Sequence, residues 1–323
     1  MVTGGAGFAG KYLVSALRAS GEKVRVFDLA AKETSDDIQG SVTDPEAAEA
    51  AVKGVSSVFH LAGNAQLWAR DVESIHDVNV EGTRVMVEAA KRAGVDRFVH
   101  CSSLTTLVGT PTPIGASTAD ETIRLGPDQM LGPYPRSKLL AEQVVEQAAR
   151  VGFNASIAMP TEPLGGGDES LTPPTKMILD FLNGKTPAFI DCVLNFVPAD
   201  RLAAGFIAVR DKGQIGERYL LGGENTPMVG LLKKLADITG RPMPKLQLPY
   251  AAALFAGLID TGLVSRFTGK APKAPLTGVR LAGRRVTFSS AKAASELGWT
   301  SGPIDQALED TIAWFGKAGL LSS

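Results

Sequence analysis

The stretch Thr3-Gly4-Gly5-Ala6-Gly7-Phe8-Ala9-Gly10 lies between a short apolar run and a helical pattern, and it decides the fold. Gly4, Gly7 and Gly10 form a G-x-x-G-x-x-G ladder. Glycine is needed where a turn takes a positive φ, where backbone approaches a phosphate, and where a helix packs closely on a strand. The N-terminus of the following helix offers unpaired N–H groups and a partial positive charge to a pyrophosphate. At the opening of a βαβ unit, this turn predicts a dinucleotide site.

An acidic residue closes the next apolar run, at the place where such a site holds the adenosine ribose. Asp28 follows Val24-Arg25-Val26-Phe27, about twenty residues beyond the glycines. A carboxylate there accepts a hydrogen bond from the 2′-hydroxyl and repels a 2′-phosphate. Asp28 therefore favours NAD(H) over NADP(H), although Lys32 is a basic residue close enough to soften the preference.

Residues 1–160 alternate β-branched apolar runs with helical patterns, which is typical of a parallel sheet with crossover helices. The predicted strands are Met1–Thr3, Lys23–Asp28, Ser56–Ala62, Arg97–Ser102 and Ala155–Met159. The predicted helices are Ala9–Ser20, Asp44–Val52, Val72–Ala93 and Pro135–Val151. We predict an α/β fold with a doubly wound parallel Rossmann sheet. Only three residues precede Gly4, so either the first strand is unusually short or, as we favour, the numbering omits a few N-terminal residues.

The second half of the chain has a different character. Prolines, glycines and polar residues are dense over residues 160–174, and short helices and strands follow without the βα rhythm. We predict a dinucleotide-binding Rossmann domain over residues 1–160. Residues 161–323 would form a smaller, mostly helical substrate region, with some segments returning to the Rossmann core. The irregular stretch 110–133 is long enough to suggest a functional or mobile loop.

A tyrosine and a lysine stand four residues apart in Tyr134-Pro135-Arg136-Ser137-Lys138, which places them on one face of a helix. The pKa of a phenol is near 10, so tyrosine is a poor base at neutral pH. A nearby ammonium and a positive nicotinamide ring stabilise the phenolate and lower that pKa. Tyr134 would then exchange a proton with a substrate alcohol or carbonyl, and Lys138 would also bind the nicotinamide ribose. Cys101-Ser102-Ser103, at a strand end, supplies hydroxyl groups to hold the substrate oxygen.

The sequence resembles the extended short-chain dehydrogenase/reductase family, also called the NAD-dependent epimerase/dehydratase family. The motifs that carry the resemblance are the glycine turn, Phe59-His60-Leu61-Ala62-Gly63, Asn79-Val80-Glu81-Gly82-Thr83, Phe98–Ser103, Tyr134–Lys138 and Phe288-Ser289-Ser290-Ala291-Lys292-Ala293. Within the family, the sequence is most similar to the branch of hopanoid-associated sugar epimerases and dihydroflavonol reductase-like proteins. Leu67-Trp68-Ala69-Arg70-Asp71, Ile215–Tyr219 and Gly222–Asn225 carry that likeness.

The resemblance implies roles for particular residues. Ser103 would be the catalytic hydroxyl beside Tyr134 and Lys138, and Asn79 would brace the site. The predicted cofactor-binding residues are Gly4, Gly7, Phe8, Ala9, Gly10, Asp28, Leu61, Ala62, Gly63, Tyr134, Lys138, Pro160 and Thr161. The resemblance also implies a homodimer, formed through the helices predicted over Val72–Ala93 and Pro135–Val151.

The sequence departs from the family pattern at two positions and leaves the substrate open. Ser41 stands where members often have Asp, and Met159 stands where an Arg commonly precedes the proline. Nucleotide-sugar enzymes need cations for a diphosphate. The candidates are Arg201, Arg210, Arg218, Arg241, Arg284 and Arg285. Trp68 and Arg70 are further candidates for the pocket wall, and surface packing explains them equally well.

Composition excludes several classes of function. The 323 residues carry a net charge of −1, whereas a nucleic-acid-binding protein needs a basic excess. The two cysteines, Cys101 and Cys192, imply no disulfide framework and favour a reducing cytoplasm. His60, His76 and His100 fit a strand or the core better than a metal site, and we predict no metal. The most apolar window, Tyr250–Val264, contains Asp260 and is too short to span a bilayer.

We expect the Tyr250–Val264 window to be a buried or partner-facing helix, and a role at a membrane surface or toward an apolar substrate stays open. The leading function is an NAD(H)-dependent oxidoreductase that moves a hydride between nicotinamide and a secondary alcohol or carbonyl on a small apolar molecule. An NAD-retaining epimerase or dehydratase acting on a nucleotide sugar is the alternative. A non-catalytic dinucleotide-binding sensor is a third, from a different class.

Overall fold

The computed structural model describes residues 1–32 and 36–322, apart from the side chains of Leu263 and Arg266. The strands in chain order are β1 (Val2–Thr3), β2 (Val26–Asp28), β3 (Ile38–Gln39), β4 (Ser57–His60), β5 (Arg97–Cys101), β6 (Ser117–Ala119), β7 (Ala155–Pro160), β8 (Glu162–Leu164), β9 (Ala188–Ile190), β10 (Val193–Pro198), β11 (Arg218–Leu221), β12 (Glu224–Pro227), β13 (Leu246–Leu248) and β14 (Val286–Phe288).

The α-helices in chain order are α1 (Phe8–Ala19), α2 (Pro45–Val52), α3 (Glu73–His76), α4 (Gly82–Arg92), α5 (Pro133–Arg150), α6 (Pro173–Leu182), α7 (Ala199–Lys212), α8 (Met228–Thr239), α9 (Tyr250–Ile259), α10 (Ser265–Thr268), α11 (Leu276–Ala282) and α12 (Asp305–Lys317). Single π-helical turns occupy Asp77–Glu81, Asp260–Val264 and Ala293–Leu297. Within the described residues, no helix is both long enough and apolar enough to cross a membrane.

Seven strands form one sheet in the order β3-β2-β1-β4-β5-β7-β11, and every neighbouring pair in it is parallel. The strand order reverses between β1 and β4, which is the switch point where open α/β sheets bind ligands at the carboxyl ends of their strands. Helices cover both faces of the sheet and bury separate apolar cores against it. The prediction of a doubly wound parallel Rossmann sheet is confirmed.

Two strands of this sheet were not predicted. Strand β3 has only two residues, too few to produce a periodic apolar pattern. Strand β11 pairs with β7 after the insertion of residues 161–198 and the helix α7; we expected some segments beyond residue 160 to return to the Rossmann core but did not predict which ones. Helix α7 packs on the same face of the sheet as α1.

Residues beyond 160 also build a smaller layer beside the sheet. Strand β10 pairs with β8 in parallel and with β12 in antiparallel orientation. A third apolar core lies there, in which Ile178, Phe196 and Leu231 are fully buried or nearly so. This layer covers the carboxyl ends of the parallel strands and closes one side of the crevice described below.

The Tyr250–Val264 window is not a buried helix, and that part of the expectation is wrong. Phe255 is 66% exposed, and Leu258, Ile259 and Val264 are exposed as well. Ala253 and Gly257 are the buried positions of α9, and α9 packs on α11 through that side. Apolar side chains lie on both sides of this helix, but α11 packs against only one side.

Candidate active site

The glycine turn has no room for side chains at its first and last ladder positions. Gly4 has φ +67°, and a Cβ there would lie 2.7 Å from the Ala62 amide nitrogen. A Cβ on Gly10 would lie 2.1 Å from the Gly4 carbonyl oxygen, because α1 packs directly against the turn. The turn is thus held by close backbone contacts with residues 61–62 and with α1, and Gly4, Gly7, Gly10, Leu61 and Gly63 line the cavity described below, which fits the predicted dinucleotide.

Asp28 is fixed beside this turn by two backbone hydrogen bonds. Its Oδ2 accepts from the Ala6 amide at 3.1 Å, and its Oδ1 accepts from the Ala30 amide at 2.9 Å. The carboxylate stands at the carboxyl end of β2, the neighbour of β1 in the sheet. The structure therefore brings the predicted ribose ligand and the predicted phosphate turn together.

Tyr134 and Lys138 lie in the first two turns of α5, which begins at Pro133 rather than Pro135. The Lys138 ammonium donates a hydrogen bond of 2.5 Å to the Cys101 carbonyl oxygen at the end of β5. Burial lowers the pKa of Lys138. Burial raises the pKa of Tyr134 to about 12, and a hydrogen bond with the Ser103 side chain acts in the opposite direction.

Asn79 ties this helix to the loop after β4. Its Oδ1 accepts from the Asn64 amide at 2.7 Å, and its Nδ2 donates to the Asn64 carbonyl at 3.0 Å and to Ser137 Oγ at 2.8 Å. Ser137 in turn donates to the Tyr134 carbonyl at 2.8 Å. Asn79 lies in the π-helical turn Asp77–Glu81, which interrupts the helix predicted over Val72–Ala93. Such turns often occur at functional sites, since one extra residue redirects a side chain.

The two serines after β5 have different surroundings. Ser102 donates its hydroxyl hydrogen to the buried carboxylate of Glu142. Ser103 Oγ instead accepts from the Thr105 amide at 3.2 Å and from the Thr105 hydroxyl at 3.0 Å, which leaves its own hydrogen for the Tyr134 oxygen, the contact that lowers the pKa of Tyr134. Ser103, rather than Ser102, can therefore donate to a substrate oxygen.

These elements surround a cavity of about 440 Å³ at the carboxyl ends of β1, β4, β5 and β7. The predicted site residues that line it are Gly4, Gly7, Phe8, Ala9, Gly10, Leu61, Gly63, Ser103, Tyr134, Lys138, Pro160 and Thr161. Asp28 and Ala62 are not among its lining residues, and both touch the glycine turn from outside. The cavity is thus large enough for a small molecule beside the tyrosine.

Much of the remaining lining is apolar. It includes Leu67, Leu194, Leu281, Val286 and Phe288. Among the described residues that line the cavity, Lys138 has the only amino group and Glu162 the only carboxyl group, and none is an arginine. The cavity therefore offers an anionic diphosphate no guanidinium group.

Five of the six arginines considered for a diphosphate are held by other groups, and the sixth, Arg241, is not among the lining residues of the cavity. Arg218 is buried in an ion pair with Glu142, Arg210 pairs with Glu22 and Asp211, and Arg285 pairs with Asp191. Arg201 and Arg284 donate to the carbonyls of Thr300 and Thr112. Met159, where family members often have Arg, is fully buried.

Trp68 and Arg70, also proposed for the pocket wall, do not line the cavity; Leu67 does. Arg70 lies beside Gly269 instead, at the end of α10. Ser41 bonds the Thr43 hydroxyl at 2.7 Å, in the turn before α2.

Sequence reasoning missed Glu162, which lines the cavity two residues beyond Pro160. Its Oε2 accepts a hydrogen bond of 3.2 Å from the Asn195 amide. Burial among apolar groups raises the pKa of Glu162 to about 8. The carboxyl is therefore mainly protonated at neutral pH and can donate a hydrogen bond. Glu162 follows β7 at the carboxyl end of the parallel sheet, where ligands bind, and this position could have identified it from the sequence.

Replacing Glu162 by Gln tests this protonation. A carboxyl whose folded pKa is raised from about 4.5 to about 8 favours folding below pH 4.5, and that contribution is lost as the pH rises through 8. Glu162→Gln cannot ionise, so we expect its melting temperature to match the wild type at pH 5 and to exceed it at pH 9. An equal difference at both pH values would show that Glu162 is not buried in its neutral form.

The buried ion pair between Glu142 and Arg218 was also missed. Arg218 Nη1 lies 3.2 Å from Glu142 Oε2, and Arg218 Nη2 donates to the carbonyls of Glu121 and Ile123. The other oxygen of Glu142 accepts from Ser102 and from Thr106, the latter at 2.7 Å. This group connects α5, the loop before it and the edge strand β11. Residue spacing gives no signal for it, because its members come from four distant parts of the chain.

The chain is similar in sequence and in structure to known proteins. A sequence model of the NAD dependent epimerase/dehydratase family matches residues 1–222. A relative from Methylococcus capsulatus named sterol demethylase protein B is 33% identical, over 99% of this chain and 99% of its own. A relative from Synechocystis sp., provisionally named as a dihydroflavonol 4-reductase, is 32% identical over 100% of this chain and 96% of its own. The solved structure of gox2253 has a TM-score of 0.85 and 33% identity, covering 99% of this chain and 98% of that one.

Proposed function

Because the chain belongs to the NAD-dependent epimerase/dehydratase family, we propose that it is an NAD-linked dehydrogenase or reductase that interconverts a secondary alcohol and a ketone on a mainly apolar small molecule. The observation that carries the proposal is the cavity, which joins Ser103, Tyr134 and Lys138 to an apolar wall with no arginine among its described residues. NAD is the cofactor of the family.

The chain's own residues would hold the cofactor in a defined way. The backbone of Gly4–Gly10 and the N-terminus of α1 would bind the pyrophosphate, and Asp28 would bind the adenosine ribose. Lys138 would bind the nicotinamide ribose, and Pro160 and Thr161 would lie beside the ring. When bound, NAD supplies a nicotinamide ring that accepts or donates a hydride.

Tyr134 would transfer the proton at the substrate oxygen. As the phenolate it would take the proton of an alcohol, and as the phenol it would give one to a carbonyl, while Ser103 donates a hydrogen bond to the same oxygen. Lys138 would stabilise the phenolate through its positive charge, since the burial that raises the pKa of Tyr134 must be offset for proton transfer near neutral pH. Glu162, protonated, would donate to a second oxygen of the substrate.

The lining of the cavity favours this reaction over the epimerisation of a nucleotide sugar. A diphosphate is bound by arginine or lysine side chains, and the one cationic side chain among the described lining residues is Lys138, which the cofactor would use. Sterols and dihydroflavonols, the molecules in the names of two relatives, are ring systems without a diphosphate. The complete set of Ser103, Tyr134 and Lys138 argues against a non-catalytic sensor.

A screen that follows NADH by its absorbance tests the proposal. We expect net oxidation of NADH with polycyclic or long-chain ketones and none with nucleotide sugars. A retained cofactor, together with interconversion of a nucleotide sugar and no net change in NADH, would establish the epimerase instead.

Asp28→Ala tests the basis of cofactor preference. Loss of a charge-assisted hydrogen bond to the ribose should weaken NAD binding by roughly tenfold to a hundredfold, and loss of the repulsion should strengthen NADP binding. Fluorescence titration with both dinucleotides measures the two dissociation constants, and Asp44→Ala, which removes the cap of α2, is the matched control. If the ratio of the two dissociation constants in Asp28→Ala equalled that of the wild type, Asp28 would not bind the ribose.

The same proposal assigns a ligand to each of two parts of the chain and includes a dimeric assembly. Residues 1–160 would bind the dinucleotide, with α7 and β11 returning to that sheet, and residues 161–323 would bind the substrate. A cytoplasmic homodimer would form through α4 and α5, which lie side by side and present Arg84, Glu88 and Gln143 to solvent. Light scattering measures the assembly, and a monomer at all concentrations would contradict the dimer.

A further inference from the structure

An exposed surface that combines apolar and basic side chains lies outside the proposed active site. Its apolar part consists of Phe255, Leu258, Ile259, Val264 and Phe267, of which Phe267 is 84% exposed. Its basic part consists of Arg70, Lys270 and Lys273. We call these eight residues the apolar–basic surface, and we propose that it docks on a membrane whose lipid headgroups are anionic.

Three of the apolar residues, Phe255, Leu258 and Ile259, lie on one side of a continuous helical segment. Helix α9, the π-helical turn Asp260–Val264 and α10 follow one another without a break over residues 250–268. Positions 255, 258 and 259 recur at the spacing of one helical face, and that face is exposed, whereas Ala253 and Gly257 are buried on the opposite side. A helix with an apolar exposed face and basic neighbours lies in the plane of a membrane interface with its aromatic side chains inserted.

The positive charge of this part of the chain favours an anionic partner. Between residues 240 and 285 there are eight lysines and arginines and one acidic residue, a net charge of +7 in a chain whose total is −1. The one acid, Asp260, is turned inward and accepts a hydrogen bond from the Ala274 amide at 3.1 Å. None of the ion pairs found in residues 1–32 and 36–322 involves Arg70, Lys270 or Lys273.

The same charges disfavour a second copy of this chain as the occupant. A two-fold symmetric contact places a surface against itself. Here it would bring basic side chains against basic side chains around the phenylalanines, which is repulsive. An anionic bilayer attracts them instead, and each lysine or arginine near its surface adds to the binding.

The apolar–basic surface lies on the side of the molecule that carries one wall of the cavity. Helix α11 contributes Gly278, Leu281 and Ala282 to the cavity wall, and its Val279 packs toward Gly257 of α9. Helices α9 and α11 therefore both lie between the exposed face of α9 and the cavity. A membrane docked on this face would lie about 20 Å from the cavity, the width of two helices.

Vesicle flotation with the full chain tests the proposal. We expect the protein to float with vesicles of equal parts phosphatidylcholine and phosphatidylglycerol, and to bind phosphatidylcholine alone at least about tenfold more weakly. Lys270→Glu with Lys273→Glu should weaken binding to the anionic vesicles by about tenfold or more, as should Phe255→Ser with Phe267→Ser.

Matched controls come from the opposite edge of the sheet and from another exposed apolar residue. Lys23→Glu with Lys53→Glu reverses two exposed charges at the amino ends of β2 and β4, and Ile215→Ser removes an apolar side chain that is 53% exposed. Both should float like the wild type. Melting temperatures verify folding, and the charge variant decides the matter if the phenylalanine variant does not fold.

Three results would overturn the proposal: no flotation of the wild type, equal flotation of the surface variants and the controls, or a larger assembly in solution that the surface variants dissociate. The last would show that a second copy covers this face. Flotation does not measure turnover, so its outcome is independent of whether the proposed reaction is right.

Discussion

Tyr134→Phe is expected to lower turnover by about 10²–10⁴-fold, the contribution of a positioned general acid or base. The substitution removes the phenol oxygen and retains the ring in the first turn of α5. Binding of NAD should change little, because the glycine turn, Asp28 and Lys138 remain. Steady-state rates with a substrate from the ketone screen, together with fluorescence titration of NAD, separate the two effects.

Tyr12→Phe is the matched control. Tyr12 lies in α1 near the same crevice, and its hydroxyl donates to the Gly166 carbonyl at 2.9 Å. Removing that hydroxyl should cost about 1 kcal/mol of stability and leave turnover unchanged. Full activity in Tyr134→Phe would mean that another group exchanges the proton. An equal loss in both variants would point to a structural effect.

Arg218→Met is expected to lower the free energy of unfolding by about 3–5 kcal/mol, because it leaves a buried carboxylate without its cation. The variant also removes the donor that satisfies the carbonyls of Glu121 and Ile123. Replacing Glu142 by Met at the same time should restore part of the loss, since the uncompensated charge is then gone. Urea unfolding followed by circular dichroism measures all three proteins.

Arg92→Met provides the comparison for an exposed pair. Arg92 bonds Glu49 at 2.8 Å, but more than half of each side chain is exposed to water. Such pairs contribute about 0–1 kcal/mol. If Arg218→Met unfolded at the same urea concentration as Arg92→Met, the buried pair would not stabilise the fold.

Patterns local in sequence predicted the first half of the fold well. The helix expected over Asp44–Val52 is observed as Pro45–Val52, with the Asp44 side chain accepting hydrogen bonds from the amides of Glu46 and Ala47. Helix α5 begins two residues before Pro135. Strand β5 ends one residue before Ser102. Capping residues, apolar period and glycine positions encode these boundaries within a few residues of the boundary itself.

What the sequence did not reveal depends on contacts between distant segments. Strand β3 is held by pairing with β2 rather than by its own pattern. The Glu142–Arg218 pair joins residues 76 positions apart. The environment of Glu162 arises from Asn195, on a strand far along the chain. Burial and electrostatics at such points depend on tertiary packing, so one sequence read along its length does not specify them.

The π-helical turn at Asp77–Glu81 has a consequence for length changes in this chain. It carries one residue more than a regular α-helix would need between α3 and α4. Deleting a single residue there would let the two helices merge into one unbroken α-helix, so the backbone would tolerate the loss. The flanking helices would keep nearly their present orientation, and the side chains within the turn would change direction, because the extra residue is accommodated by the widening of that turn alone. Asn79 would then no longer face Asn64 and Ser137, and the chain would have gained a more regular helix while the loop beside Lys138 lost its anchor.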